Sequence, residues 1–184
     1  MKYRIVGDQT NQTVLIDTNH NAFGPCWLVK NVTIVNDNVQ ELQSIGNANL
    51  RDTAFIQKSF GNFVKQPQWD STSSILLTKF NNDTMEYTAN CKGPQFAVFS
   101  EVYYPYGWNA YIDGKKVDYC RTNYILRGIS IPEGNHSIKF IFEPSTYKKG
   151  IKIAYAASFL VLIFFVGGIF MQWWISRKKN SPVA

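Results

Sequence analysis

Charge is scarce in this chain and unevenly placed: 17% of the 184 residues are charged, and no Asp or Glu follows Glu143. Six of the 19 Lys and Arg residues form two short groups, Lys148, Lys149 and Lys152, then Arg177, Lys178 and Lys179. Without them 13 basic residues face 13 acidic ones, so the formal net charge of +6 is a property of the C-terminal end. A nucleic-acid binder concentrates its excess on the binding domain, so nucleic acid is excluded as a partner. Cysteine and histidine are nearly as scarce. Cys26, Cys91 and Cys120 form no C-x-x-C pair, and the two histidines, His20 and His136, stand far from them. A zinc site needs four ligands at short paired spacings, so no metal is expected. An odd thiol count leaves room for one disulfide in an oxidising space, while small buried thiols are the simpler reading. There is no G-x-S-x-G, no Gly-rich phosphate loop and no H-E-x-x-H, hence no catalytic residue and no cofactor. What the chain does have is apolar mass, with 45% hydrophobic and 15% aromatic residues, the opposite of a disordered composition.

The longest apolar run is Ile153 to Ser176, 24 residues without a charge. As a helix it spans about 36 Å, against a hydrocarbon core of about 30 Å. Tyr155, Trp173 and Trp174 stand near its ends, where amphipathic rings prefer the headgroup layer, and Arg177, Lys178 and Lys179 follow. The spacing predicts a transmembrane helix with basic flanks over 148–179 and a short tail over 180–184. Three basic residues on each side leave orientation undecided by the positive-inside rule. Residues Met1 to Asn21 hold no apolar stretch of signal-peptide length. Two organisations fit: a complete tail-anchored protein with a cytosolic interaction domain, or the end of a longer chain whose earlier spans carry the domain across.

Period-two patterning recurs from Ser74 to Pro144. Strands are predicted at Ile75–Phe80, Thr84–Ala89, Phe96–Tyr104, Trp108–Ile112, Lys116–Tyr119, Tyr124–Ile131 and His136–Phe142, with turns at Asn81–Asp83, Lys92–Pro94, Pro105–Gly107, Asp113–Gly114 and Pro132–Asn135. Short strands with turn signals every 8–12 residues describe an antiparallel β-sandwich over 67–147, immunoglobulin-like or carbohydrate-binding-module-like. Before it, 1–66 reads as a small α+β segment: a strand at Trp27–Val35, a short helix at Asn38–Ser44 capped by Asn38, and a strand at Thr53–Lys58. Lys65 to Ser74 reads as a linker. The chain is thus mainly β, with one C-terminal membrane helix.

Aromatic residues crowd one part of the domain: Tyr103, Tyr104, Tyr106, Trp108, Tyr111, Tyr119 and Tyr124. Such rings either fill the sandwich core or, exposed, stack on sugars or line a partner interface. Arg121 and Arg127 flank Tyr124, placed to hold an anionic or polyol group or to pair with Glu101 or Asp118. Trp108, Tyr111, Arg121, Tyr124 and Arg127 are therefore the candidate glycan or partner contacts. Glu101 and Asp113 read as a surface residue and a turn residue rather than as a glycosidase pair, which would make the chain an autonomous hydrolase. His136 reads as the start of a strand.

The run Tyr103 to Lys115 reads Y-Y-P-x-G-W-x-A-x-I-D-G-K, followed by Arg121–Gly128, Ile131–His136 and a last hydrophobic span. With Asn21–Val29, this order resembles the C-terminal end of the bacterial YfhO-like membrane proteins. That resemblance implies a large polytopic protein similar to glycosyltransferases that use lipid-linked sugars, implicated in glycosylating cell-surface polymers. Their expected catalytic acids lie in early loops that nothing here matches, so none is carried over. The resemblance further implies a β domain outside the cytoplasm, a final helix returning to a cytoplasmic C-terminus, and upstream sequence. It also implies a bilayer, a glycan or lipid-linked sugar, and a multi-spanning membrane domain as partners. The expectation is an accessory domain, anchored in the cell membrane, that supports a membrane domain absent from this chain.

Overall fold

The structure is a computed structural model that describes residues 3–8, 13–19 and 21–179. The described residues fall into two compact units, within Met1–Phe142 and Glu143–Ala184.

The first unit is mainly antiparallel β. Its element order begins with the hairpin β1 (Tyr3–Asp8) and β2 (Thr13–Thr18), then β3 (Cys26–Val29), β4 (Asn31–Val35), helix α1 (Asn38–Asn47), β5 (Thr53–Gln57) and a 3-10 turn at Lys58–Phe63. Strands β6 (Ser74–Phe80), β7 (Thr84–Cys91), β8 (Gln95–Val102), β9 (Trp108–Ile112), β10 (Lys115–Val117), β11 (Cys120–Thr122), β12 (Leu126–Ile131) and β13 (Gly134–Phe142) follow. They form a five-stranded sheet, β10-β9-β13-β7-β6, and a four-stranded sheet, β11-β12-β8-β3. The arrangement is sandwich-like, and no described sheet closes into a barrel.

Each sheet's burial follows from what covers its faces. In β7 buried and less buried residues alternate, with Met85, Tyr87, Ala89 and Cys91 inward, as a sheet covered on one face requires. They meet Phe99, Ile129, Ile131, Ile138 and Phe140 in the main core. There Tyr87, Phe99 and Phe140 pack edge to face, with centroids 4.7 to 6.3 Å apart. In β8, by contrast, Gln95 through Phe99 are all buried. The second face of this strand carries another core, in which Val29, Phe96 and Val98 meet Val32, Ala54 and Ile56 of the parallel pair β4-β5. Gly128 on β12 is part of this packing: a Cβ there would stand 2.5 Å from the Phe96 ring, so only glycine fits.

Several sequence expectations shift. The run Trp27–Val35 is two strands, because the amides of Lys30 and Asn31 both donate to the Asp52 carbonyl and the chain changes partner there. The first half, β3, pairs with β8 in the four-stranded sheet; the second pairs with β5. Helix α1 is capped by Asp37, whose carboxylate accepts from the Gln40 amide at 2.8 Å, not by Asn38. The strand expected at Lys116–Tyr119 is β10, which ends at Val117; a separate strand, β11, starts at Cys120, and Tyr124 stands in a turn before β12. The stretch Lys65–Ser74 is tied down: the Gln68 amide donates to the Pro94 carbonyl, and Gln66 bonds Val32 through both amide atoms. The hairpin β1-β2 was not foreseen.

The second unit contains helix α2 (Ser145–Lys179). Its Ser145–Ser176 portion is long and apolar enough to cross a membrane, and none of its most apolar stretch is buried within the structure. Phe164 and Phe165 are 78% and 67% exposed, a distribution that fits lipid and not water. Tyr155, Trp173 and Trp174 are exposed on the same helix.

Candidate functional site

Strand β12 pairs with β8 through a register shift between Leu126 and Arg127, and Arg127 shares the strand parity of Ile129 and Ile131, which face the main core. Its guanidinium lies 4.4 Å from the Trp108 ring centroid and 5.3 Å from that of Phe140, a cation held between aromatic faces. Nε donates to the Val102 carbonyl at 2.9 Å. The residue is only 3% exposed, and its buried Nη1 has no hydrogen-bond partner among the described residues. Burial draws the Arg127 pKa down, with Tyr119, Glu101 and Tyr87 acting the other way; a guanidinium stays charged regardless. Arg127 opens onto a cleft of about 450 Å³ that it shares with Glu101, Tyr104, Trp108, Phe142 and Asn82. Trp108 also packs on Phe142, centroids 5.4 Å apart. Aromatic walls, one buried cation with a free donor and one carboxylate give a polyol both a stacking surface and charge-assisted hydrogen bonds.

Arg121 and Tyr124 belong to a different cleft, of about 460 Å³, lined also by Asn38, Gln57, Phe60 and Tyr103. Arg121 donates to Asn38 Oδ1 at 2.8 Å and lies 3.5 Å from Glu41 Oε2. That oxygen has ion-pair contact without hydrogen-bond geometry, and Arg121 Nε is likewise unbonded among the described residues. Glu41 Oε1 accepts the Tyr124 amide at 2.8 Å. The turn it holds is strained, with Asn123 at φ 47° and Tyr124 at φ 72°. Asn123 clasps β5, its amide donating to the Phe55 carbonyl and its Oδ1 accepting the Phe55 amide, each at 2.9 Å. Arg121 therefore pairs with Glu41, a partner 80 residues upstream and invisible to local pattern, and not with Glu101 or Asp118. Tyr111 joins neither cleft: on β9 it is offset by an odd number of residues from Trp108, Ala110 and Ile112, with Lys116 and Lys139 as its ladder neighbours.

Sequence reasoning missed a third grouping. Asp113 and Gly114, at φ 51° and 78°, make the expected tight hairpin, but the Asp113 side chain does more than turn the chain. Its Oδ2 lies 2.6 Å from His136 Nδ1, and its Oδ1 accepts the Ser137 amide at 2.9 Å. His136 Nε2 meets the Glu133 carbonyl at 3.1 Å. The His136 and Ser137 bonds hold the Asp113 carboxyl below the usual range. Burial works against the His136 imidazolium, but the Asp113 carboxylate and Glu133 carbonyl outweigh it and the pKa lies above the ordinary value.

The thiols are not reactive groups. Cys91 and Cys120 are buried and Cys26 partly so, all three free. Burial pushes the thiols up, to about 11 for Cys26 and about 12 for Cys120.

No curated protein and no solved structure matches the chain. The family model described as bacterial membrane protein YfhO matches residues 31–154, which takes in α1, the five-stranded sheet, all of the four-stranded sheet but β3, both arginine clefts and the first residues of α2. With a helix fit to cross a bilayer directly after a β unit that the match covers from residue 31 on, the chain belongs to the YfhO family of bacterial membrane proteins.

Proposed function

We propose that this chain is the extracytoplasmic accessory β domain of a YfhO-like protein, anchored by α2, which contacts glycan while a separate multi-spanning membrane domain glycosylates a cell-surface polymer. Family membership and the membrane helix support the setting. One observation carries the glycan contact: the buried Arg127, stacked on Trp108, keeps an unbonded Nη1 beside a cleft that also holds Glu101 and Tyr104. A buried donor without a partner loses about 1–3 kcal/mol, which a bound hydroxyl or phosphate oxygen returns. Of the five contact residues expected from sequence, this reading keeps Trp108 and Arg127 and leaves Arg121, Tyr124 and Tyr111 in supporting or separate positions.

The test uses the full-length protein in its bacterial host. Trp108→Leu and Arg127→Met are each expected to lower the glycan content of the surface polymer at least fivefold at unchanged protein level. Wild-type glycan content in both variants rejects the site. Sidedness is read separately with Tyr106→Cys in a Cys26→Ser background, since Tyr106 is 75% exposed and Cys91 and Cys120 are buried while Cys26 is only partly so. Labelling by an impermeant maleimide in intact cells is expected; labelling only after lysis gives the cytosolic interaction domain instead.

A further inference from the structure

The Arg127 cleft lies where β9 begins and β13 ends; at the other end of the same strands, where β9 ends and β13 begins, there is a second opening. It is a cavity of about 430 Å³ between residues of both large sheets. Ile112 and Val117 of the β9-β10 hairpin face Ile131 of β12, with Pro94 and Pro132 beside them. Three groups of different chemistry interrupt this apolar wall.

The first is Gln95, which is 1% exposed. Its side-chain nitrogen is fixed on the Gln68 carbonyl at 2.6 Å, which assigns the amide orientation and leaves Oε1 as a buried acceptor with no partner among the described residues. Such an oxygen stays unsatisfied unless something brings it an O–H or N–H. The second is a pair of cations, Lys65 and Lys115, which reach the cavity from separate elements. Among the described residues neither is in a salt bridge. The third is the His136–Asp113 pair at the same rim. Asp113 is occupied by His136 and the Ser137 amide, so the excess charge facing an incoming group is positive. The volume lies within the range of small-molecule sites, about 300–1,000 Å³.

From this combination we infer that the cavity binds a small amphiphilic anion: an apolar body between Ile112, Val117 and Ile131, an acidic group at Lys65 and Lys115, and a hydroxyl or amide N–H donated to Gln95 Oε1. The apolar walls select against free inorganic anions, and the lysines select against neutral amphiphiles. Gln95 discriminates within the anions, because a site built around a hydrogen bond rejects the analogue that lacks it. This site is independent of the Arg127 cleft, and either stands if the other fails.

The experiment uses the full chain in phosphatidylcholine nanodiscs, with empty discs to correct for partitioning, and follows the His136 ring and Gln95 side-chain amide signals by NMR. Four probes separate the contributions: 3-hydroxydecanoate, decanoate, methyl 3-hydroxydecanoate and inorganic phosphate. The hydroxy acid is expected to shift both signals saturably. Decanoate, lacking the hydroxyl, should bind at least threefold more weakly, the methyl ester at least tenfold more weakly, and phosphate without saturation. Val117→Trp, which fills the cavity from a short edge strand, should abolish binding while leaving the remaining spectrum in place; Lys65→Gln with Lys115→Gln should weaken it about tenfold. Equal binding of acid and ester, unchanged binding in Val117→Trp, or absence of any Gln95 shift with the hydroxy acid overturns the inference.

Discussion

Two clefts share Val102 as a wall, and each holds one arginine. Arg121 and Arg127 are direct ladder partners on β11 and β12, a placement that destabilises unless each charge finds its own outlet. Arg121 finds Glu41 and Asn38. Arg127 finds two aromatic faces and one backbone carbonyl, and keeps an unbonded nitrogen. The difference separates two uses of one residue type. A guanidinium beside a carboxylate fixed on a helix holds the fold together, here by tying α1 to the strained Asn123–Tyr124 turn. A guanidinium held by π faces is positioned without a carboxylate, and in the function proposed above the Nη1 that stays unbonded among the described residues is what meets the glycan.

Three substitutions sharpen that contrast. Glu41→Ala removes the carboxylate from both Arg121 and the Tyr124 amide, and should destabilise the domain by about 2–3 kcal/mol, less than the ~3–5 kcal/mol of a fully buried pair because Arg121 is partly exposed. Chemical denaturation of the full chain in nanodiscs measures it. Adding Arg121→Met should recover at least about 1 kcal/mol; no recovery would mean that Glu41 acts through the turn alone. Arg127→Met removes a buried charge without orphaning a carboxylate, so stability should change by less than about 1 kcal/mol. A loss comparable to that of Glu41→Ala would make Arg127 a structural residue too.

Asp113→Asn should have the smallest effect, about 0.5 kcal/mol, because the Asp113 side chain is 48% exposed and solvent screens the pair. Its direction depends on pH. The His136 pKa is raised above 6.5 in the folded protein, so its contribution is complete below 6.5 and fades as pH rises through the folded value. The Asp113 pKa lies below 3.8, so its contribution is present above 3.8 and fades as pH falls through the folded value. The pair therefore stabilises the hairpin most between about pH 4 and 6.5. The difference between wild type and Asp113→Asn should peak in that window, and the His136 titration followed by NMR should move down in the variant.

Where local pattern and tertiary demand coincide, the chain was legible. The alternation of Thr84 to Ala89 became β7, and Asp113–Gly114 became the tight hairpin, because a D-G pair has one low-strain use between two strands. The Asn123–Tyr124 turn was illegible: tyrosine does not choose a positive φ by itself, and what holds the turn is Glu41, 83 residues before Tyr124, and Phe55, 68 residues before Asn123. Trp27 to Val35 misled for a related reason. One strand-like run is what two differently buried strands look like when the break, at Lys30 and Asn31, is made by a remote carbonyl, that of Asp52. Trp108 and Arg127 were named as contacts from composition alone, but their separation from Arg121 and Tyr124 rests on partners remote in sequence, Glu41 and Asn38 for Arg121 and the Trp108 ring for Arg127.

The sequence by itself determined the membrane helix and the antiparallel β domain. Both are set by local solvation: 24 uncharged residues have no stable place in water, and period-two alternation has one wet face and one dry one. Only the tertiary structure decided which charge meets which. Pairing Arg121 with Glu41, stacking Arg127 on Trp108 and closing His136 onto Asp113 depend on distances that exist once the sheets have packed.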